Sequence, residues 1–222
     1  MTAPADARAE LAALCARGLD WHQPEYRIPA PDASLRPAAV LMLFGVLDDI
    51  PSRASGPVAR DLDVLLLRRA ETLGSHAGQV AFPGGRLDPE DDGPVAGALR
   101  EAVEETGLDP HGVDVLGMLP SFPLAVSNHL VTPVLGWWTR PSEVAAVDHA
   151  ETVHVFRAPV ADLLDPANRS TTVIVREGRR WEAPGFQVNG ELVWGFTAMI
   201  LDQAFDALGW TLPWDRGREI VL

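Results

Sequence analysis

"GGRLDPEDDGPVAGALREAVEETGL", residues 84–108, is the stretch of the sequence that decides the fold. It places a double-glycine turn and an acidic segment, residues 88–92, directly before a helix-forming run. Pro94 suits the first position of a helix, and Gly107 suits the position just beyond its end. The stretch therefore predicts a helix over residues 94–106 that begins close to a glycine turn.

Helical geometry brings three glutamates of this helix together. At about 100° per residue, Glu101, Glu104 and Glu105 share one side, and Arg100 reaches Glu104 one turn away. The other side carries an apolar stripe that we expect to be buried: Val95, Leu99, Ala102, Val103 and Thr106. Clustered carboxylate oxygens suit Mg²⁺ or Mn²⁺. The alternative is an acidic face that is simply solvated.

The composition limits the class of protein. The chain has 222 residues, 47% of them hydrophobic, and a net charge of −13. This acidity argues against a nucleic-acid partner, which would need a basic face. Cys15 is the single cysteine, so there is no intrachain disulfide. We find no signal peptide and no apolar run near the ~20 residues of a membrane span, so we expect a cytoplasmic protein without a membrane partner.

Helix and strand patterns follow each other without a regular βαβ order. Apolar runs predict strands over residues 38–47, 62–70 and 78–85. A hairpin is predicted over residues 171–188, turning at Glu177-Gly178, and an amphipathic helix over residues 192–209. We therefore expect an α/β protein of the α+β kind, with a mixed β-sheet flanked by α-helices.

The same patterns divide the chain into three parts. Residues 1–36 hold a predicted helix (5–17) and a proline-rich segment that wraps the surface. Residues 37–209 form the main domain, and residues 210–222 form a C-terminal tail.

Residues 85–108 resemble the Nudix box, whose pattern is G-x5-E-x7-R-E-U-x-E-E-x-G-U, with U an aliphatic residue. Asp91 stands at the first acidic position, and its distance to Arg100 is one residue longer than the pattern. Both departures also occur in one branch of the family. The remaining positions match: Gly85, Arg100, Glu101, Ala102, Glu104, Glu105, Gly107 and Leu108. The resemblance implies a Nudix-type mixed β-sheet sandwiched between α-helices.

That branch is the coenzyme A pyrophosphatases, whose upstream motif is L-L-T-x-R-S-x-x-L-x-x-H-x-G-Q-V-A-F-P-G-G. Residues 65–85 read LLLRRAETLGSHAGQVAFPGG and are similar to it. Leu67 and Ala70 replace the usual Thr and Ser. Further similarity, in TPVLG, ETVHVFRAPV and VWGFTA, extends the resemblance over roughly residues 38–207.

The resemblance implies hydrolysis of a nucleoside diphosphate linked to another group, with Mg²⁺ or Mn²⁺ as cofactor. Glu101 and Glu105 would be the primary metal ligands, and Glu104 would complete the metal site or orient Arg100. Glu151 would act as the catalytic base or as an extra ligand, and Glu143 competes for that role.

The substrate-binding candidates lie on the strand and turn before the helix. Arginine's planar fork suits phosphate oxygens, but strand alternation places Arg68 opposite Arg69, so we expect one of the two to face solvent. His76 would touch substrate or cap a turn, and Phe82 would pack in the core or stack on adenine. The full set is Arg69, His76, Gln79, Phe82, Gly84, Gly85 and Arg86.

Three functions follow from these patterns. The first is hydrolysis of coenzyme A or acyl-coenzyme A to 3′,5′-ADP and 4′-phosphopantetheine or its acylated form. The second is hydrolysis of another nucleoside diphosphate derivative, such as NADH, ADP-ribose or an oxidised dNTP. The third is a catalytically silent Nudix domain that binds a ligand. The size and family are also typical of homodimers.

Overall fold

The computed structural model describes residues 6–23, 34–46, 58, 61–71, 77–125 and 127–222. Four α-helices lie in these ranges: α1 Ala7–Arg17, α2 Gly93–Thr106, α3 Val160–Leu164 and α4 Gly195–Leu208. The strands of the described residues are β1 Arg36–Val46, β2 Leu62–Arg69, β3 Val80–Ala81, β4 Gly84–Arg86, β5 Val113–Met118, β6 Phe122–Leu124, β7 His129–Trp138, β8 Thr152–Pro159, β9 Arg169–Arg176, β10 Arg179–Val188, β11 Glu191–Val193 and β12 Glu219–Val221.

The strands form two sheets. The larger sheet has the strand order β3-β2-β1-β7-β5. Three more strands pair with strands of this series: β4 with β1, β6 with β7 and β8 with β2. β1 and β7 are parallel, whereas β1 pairs antiparallel with both β2 and β4. The smaller sheet has the order β11-β10-β9-β12, with β12 parallel to β9. The sheets are thus mixed, as the sequence predicted.

The larger sheet is covered on both faces. Alternate β1 residues Ala39, Leu41 and Leu43 pack with Ala98 and Ala102 of α2. The intervening positions belong to a second cluster that includes residues of α1 and α4. Strand alternation explains this division, since successive side chains point to opposite faces. The expected mixed sheet sandwiched between helices is therefore confirmed.

The first and last described elements, α1 and β12, pack against this body. Leu11 and Leu14 of α1 are fully buried in the cluster that contains α4. Trp210 donates a hydrogen bond of 2.6 Å from its Nε1 to Glu10 Oε2, and β12 adds a strand to the smaller sheet. The division of the chain at residues 36 and 209 stays a prediction.

Two local expectations have different outcomes. The hairpin turn at Glu177-Gly178 is confirmed, with both residues at positive φ. The predicted start of the last helix at residue 192 is wrong, because residues 191–193 form β11 and α4 begins at Gly195. Trp194 is extended and Gly195 has φ of 68°, so the backbone leaves the strand before the helix starts.

Candidate active site

The helix α2 lies against β1 and β4, and its buried side differs from the expected one. Glu105 is 8% exposed, whereas Val103 is 37% exposed. The prediction that Val103 is buried and Glu105 faces outward is therefore wrong. The reason is a tertiary contact: the glycine turn beside α2 supplies a hydrogen-bond donor that a buried carboxylate can use.

The glycine turn and the acidic helix meet directly. The Gly84 amide donates a hydrogen bond of 2.9 Å to Glu105 Oε2. Gly84 has φ of 154°, and a side chain there would lie 2.4 Å from the Ala39 carbonyl oxygen. A side chain on Gly85 would lie 2.5 Å from the Glu101 carboxylate. Gly84 is thus needed for the turn to lie against β1, and Gly85 for the backbone to approach the Glu101 carboxylate of α2.

Arg100 connects the acidic groups of the site. Its Nη1 donates to Glu101 Oε1 at 3.1 Å and to Glu104 Oε2 at 3.0 Å. Its Nη2 donates to the Arg86 carbonyl oxygen at 3.0 Å. Glu104 is 57% exposed and Glu101 only 19% exposed at the side chain. The arginine therefore fixes the Glu101 carboxylate against the turn and holds Glu104 at the surface.

Asp91 holds the other side of this arginine. Its oxygens accept from Arg100 Nε at 3.0 Å and Nη2 at 2.9 Å, and the Asp88 amide adds a bond of 2.8 Å. These hydrogen bonds, with that from Arg100 the largest cause, lower the pKa of the Asp91 carboxyl. Gly97 leaves room for it, since a side chain there would lie 3.0 Å from Asp91 Oδ2. Asp91 is thus an anchor for Arg100, a role that the sequence did not show.

Burial dominates the electrostatics of the two inner glutamates. It raises the pKa of Glu105 to about 7, opposed by the Gly84 amide and Arg69, while the charges of Glu101 and Glu151 raise it further. Burial also raises the pKa of Glu101, opposed by Arg100. Burial therefore disfavours the charged forms of both glutamates, and a cation bound beside them would favour those charged forms.

The two arginines at the end of β2 face opposite sides of the sheet. Arg69 Nη1 lies 3.7 Å from Glu105 Oε1. Arg68 instead pairs with Glu71 at 3.0 Å and with Glu191 at 3.3 Å. The two side chains thus alternate along the strand as expected. Arg68 does not simply face solvent, because it pairs with Glu191 of β11 and its side chain is 32% exposed.

The segment before β8 closes over the C-terminal end of α2. The Val147 amide donates to the Glu105 carbonyl oxygen at 3.3 Å, and the Ala70 amide donates to that of Glu151 at 2.8 Å. These bonds bring Glu151 within electrostatic range of the Glu105 side chain. Glu143 is exposed on the preceding segment. The arrangement favours Glu151 over Glu143 as the further acidic group of the site.

The remaining substrate candidates divide by burial. Phe82 is 2% exposed in the core, which favours packing over stacking on an adenine. The Gln79 carbonyl oxygen accepts from the Arg69 amide at 3.0 Å. Arg86 is exposed beside the turn, and His76 lies outside the described residues.

The donor set fits a divalent cation in its chemistry. Carboxylate oxygens of α2 lie beside a glycine turn, and oxygen ligands of this kind suit Mg²⁺ or Mn²⁺. In the part of the chain that the structure describes, no three His, Cys, Asp or Glu side chains converge as a complete metal site. Arg100 and the Gly84 amide occupy oxygens of these carboxylates. A cation would have to replace some of these contacts.

Comparisons with known proteins place the chain in a class. A model of the NUDIX domain matches residues 51–184. An uncharacterized Nudix hydrolase NudL from Photorhabdus laumondii is 40% identical over 141 residues, which cover 63% of this chain and 74% of that protein. The protein of the same name from Cronobacter sakazakii is 40% identical over 147 residues, which cover 65% of this chain and 76% of that protein. The crystal structure of a Nudix hydrolase from M. smegmatis, RenU, is similar with a TM-score of 0.45 and 19% identity. The match covers 60% of this chain and 79% of that one.

The fold and the acidic helix thus define a hydrolase of the class that uses the Nudix box. The chain belongs to the Nudix hydrolase family. Members of this family generally use divalent metal ions. No helix among the described residues is long and apolar enough to cross a membrane. The cytoplasmic location and the homodimer stay predictions.

Proposed function

We propose that this hydrolase cleaves the diphosphate bond of coenzyme A or acyl-coenzyme A with the help of a divalent cation. The products are 3′,5′-ADP and 4′-phosphopantetheine or its acylated form. One observation carries the proposal: the Gly84 amide donates to Glu105. This bond joins the segment that resembles the coenzyme A pyrophosphatase motif to the Nudix helix, so that both contribute to one site.

Each charged residue has a distinct role in this proposal. Glu101 and Glu105 are the ligands of Mg²⁺ or Mn²⁺, because they are the most buried carboxylates beside the glycine turn. A bound divalent cation makes water a better nucleophile and stabilises charge on phosphoryl oxygens. Arg100 orients Glu101, and the exposed Glu104 orients Arg100.

Glu151 is the base that accepts a proton from the attacking water. Its carboxylate lies within electrostatic range of Glu105, and its backbone is fixed by the Ala70 amide. A base must lie close to the water that it activates. Its place near the buried Glu105 carboxylate supports this assignment.

The diphosphate is bound by the groups around the turn. Arg69 and Arg86 supply guanidinium donors that suit phosphate oxygens. Gln79 and His76 complete the proposed substrate contacts.

The two departures from the coenzyme A motif lie in the protein interior. Leu67 is fully buried and Ala70 is 4% exposed. A substrate would therefore meet neither side chain, and their change leaves the surface of the site unaltered. This supports coenzyme A in spite of the missing Thr and Ser.

A second candidate is hydrolysis of another nucleoside diphosphate derivative, because the family model and the named relatives are Nudix hydrolases with no substrate in their names. A substrate panel with Mn²⁺ separates the candidates: coenzyme A, acetyl-coenzyme A, NADH, ADP-ribose and 8-oxo-dGTP. The proposal expects kcat/KM for the coenzyme A compounds to exceed the others by at least about tenfold. A higher value for ADP-ribose or NADH than for coenzyme A would replace it with the second candidate.

A further inference from the structure

Glu105 has a positive charge beside it in the folded chain. Arg69 Nη1 lies 3.7 Å from its Oε1, while its Oε2 accepts the Gly84 amide. A carboxylate that is 8% exposed depends on such partners, since burial disfavours its charged form. Arg69 thus occupies the place of a counter-cation for a carboxylate that we assign to metal binding.

The backbone aims Arg69 at this position. The pairing of β2 with β8 shifts register between Arg68 and Arg69, so that Arg69 pairs with Thr152 and Val153 is passed over. The extra residue lies in β8, so β2 keeps its alternation and Arg69 points away from Arg68. The Arg69 amide donates a hydrogen bond to the Gln79 carbonyl oxygen, and the Ala70 amide donates one to the Glu151 carbonyl oxygen. The start of the side chain is therefore fixed on both sides.

The guanidinium itself is held weakly. Its Nη1 contact with Glu105 is 3.7 Å, longer than a hydrogen bond. Its buried Nε has no hydrogen-bond partner among the described residues. Arg100 differs, because Asp91 binds it through two hydrogen bonds of 2.9 and 3.0 Å. Of the two arginines, Arg69 is the one that can leave its carboxylate at low cost.

We propose that Arg69 is a displaceable counter-cation of Glu105: a divalent cation replaces it there, and the released guanidinium binds the substrate diphosphate. This inference rests on the proposed function for the cation and the diphosphate. It makes Arg69 a positioning residue in the metal-free protein and a substrate-binding residue in the loaded protein. The cation binds Glu105 and frees Arg69, whereas the diphosphate binds Arg69 and frees Glu105. The cation and the diphosphate therefore bind cooperatively.

Calorimetric titration of the substrate-free protein with Mn²⁺ tests the first half. Arg69→Gln should bind Mn²⁺ about tenfold more tightly than the wild type, because both competition and charge repulsion are removed. Arg68→Gln is the matched control, since this neighbour pairs with Glu71 and Glu191, and should leave the affinity unchanged. Glu105→Gln should abolish the binding and so identify the site.

Inorganic pyrophosphate tests the second half in the Mn²⁺-saturated protein. Arg69→Gln should bind it about tenfold more weakly than the wild type, and Arg68→Gln should bind it equally well. If Arg69→Gln does not fold, Arg69→Met keeps the apolar stem and carries the same expectations.

The outcomes separate this inference from the proposed function. Unchanged or weaker Mn²⁺ binding by Arg69→Gln, with binding still lost in Glu105→Gln, overturns the counter-cation role alone. Pyrophosphate binding by Arg69→Gln that equals that of the wild type overturns the proposal that the released Arg69 binds the diphosphate. Mn²⁺ binding that survives in Glu105→Gln overturns the proposed metal site itself.

Discussion

Replacing Glu105 by glutamine should stabilise the metal-free protein while it removes activity. The carboxyl is 8% exposed, and burial raises its pKa from 4.5 to about 7. The folded state thus prefers the neutral acid. Below pH 4.5 the group is protonated in both states, and stability is lost as the pH rises through the window from 4.5 to about 7.

The size of the effect follows from the shift. At about 1.4 kcal/mol per pKa unit, the charged carboxylate costs the folded state about 3 kcal/mol at pH 8 and less than about 1 kcal/mol at pH 5. Glutamine keeps the shape and an oxygen for the Gly84 amide, but it carries no charge. Metal-free Glu105→Gln should therefore be more stable than the wild type by about these amounts.

Urea unfolding in EDTA at pH 5 and pH 8 measures this difference. Glu104→Gln is the matched control at the preceding position, since the Glu104 side chain is 57% exposed. It should change the free energy of unfolding by less than about 1 kcal/mol at either pH. Added Mn²⁺ should stabilise the wild type but not Glu105→Gln. A Glu105→Gln protein that is less stable than the wild type, or whose difference does not vary with pH, would refute the reasoning.

Two further substitutions test other parts of the structure. Asp63 is 5% exposed, its Oδ1 has no hydrogen-bond partner among the described residues, and burial raises its pKa to about 6. Since the folded state loses stability as the pH rises from 3.8 to about 6, Asp63→Asn should stabilise by about 3 kcal/mol at pH 8 and by little at pH 4, in urea unfolding. Equal stability at pH 8 would contradict this. Gly97→Ala should lower kcat, because its methyl group would lie 3.0 Å from Asp91 Oδ2, which holds Arg100. Stability should change by less than about 1 kcal/mol, because the end of the Leu87 side chain can move away and alanine favours the helix by about 0.5–1 kcal/mol. Unchanged kcat would show that the fit around Asp91 is looser than this.

Much of the site could be predicted because its signals are local. The helix α2, its first proline and its closing glycine lie within one stretch, and α2 ends at the predicted residue. The opposite directions of Arg68 and Arg69 follow from strand alternation alone. These features depend on neighbours in sequence, which periodicity describes well.

The buried side of α2 could not be predicted in the same way. A helical projection favours Val103 over Glu105 as the buried residue, because it counts polarity and not partners. The partners of Glu105 are the Gly84 amide, 21 positions away in sequence, and Arg69. Asp91 was also unassigned, since its hydrogen bonds to Arg100 span nine positions and depend on the space left by Gly97. Tertiary contacts decide both cases.

Mass spectrometry of coenzyme A incubated with the protein and Mn²⁺ is the most direct test of the central claim, that the carboxylates of α2 serve diphosphate hydrolysis. The wild type and the control Arg68→Gln, whose side chain pairs with Glu71 and Glu191, should release 3′,5′-ADP and 4′-phosphopantetheine, whereas Glu105→Gln should be slower by about 100-fold or more. Intact coenzyme A after incubation with folded wild-type protein would contradict the assigned substrate. Equal product from the wild type and Glu105→Gln would contradict the assigned site.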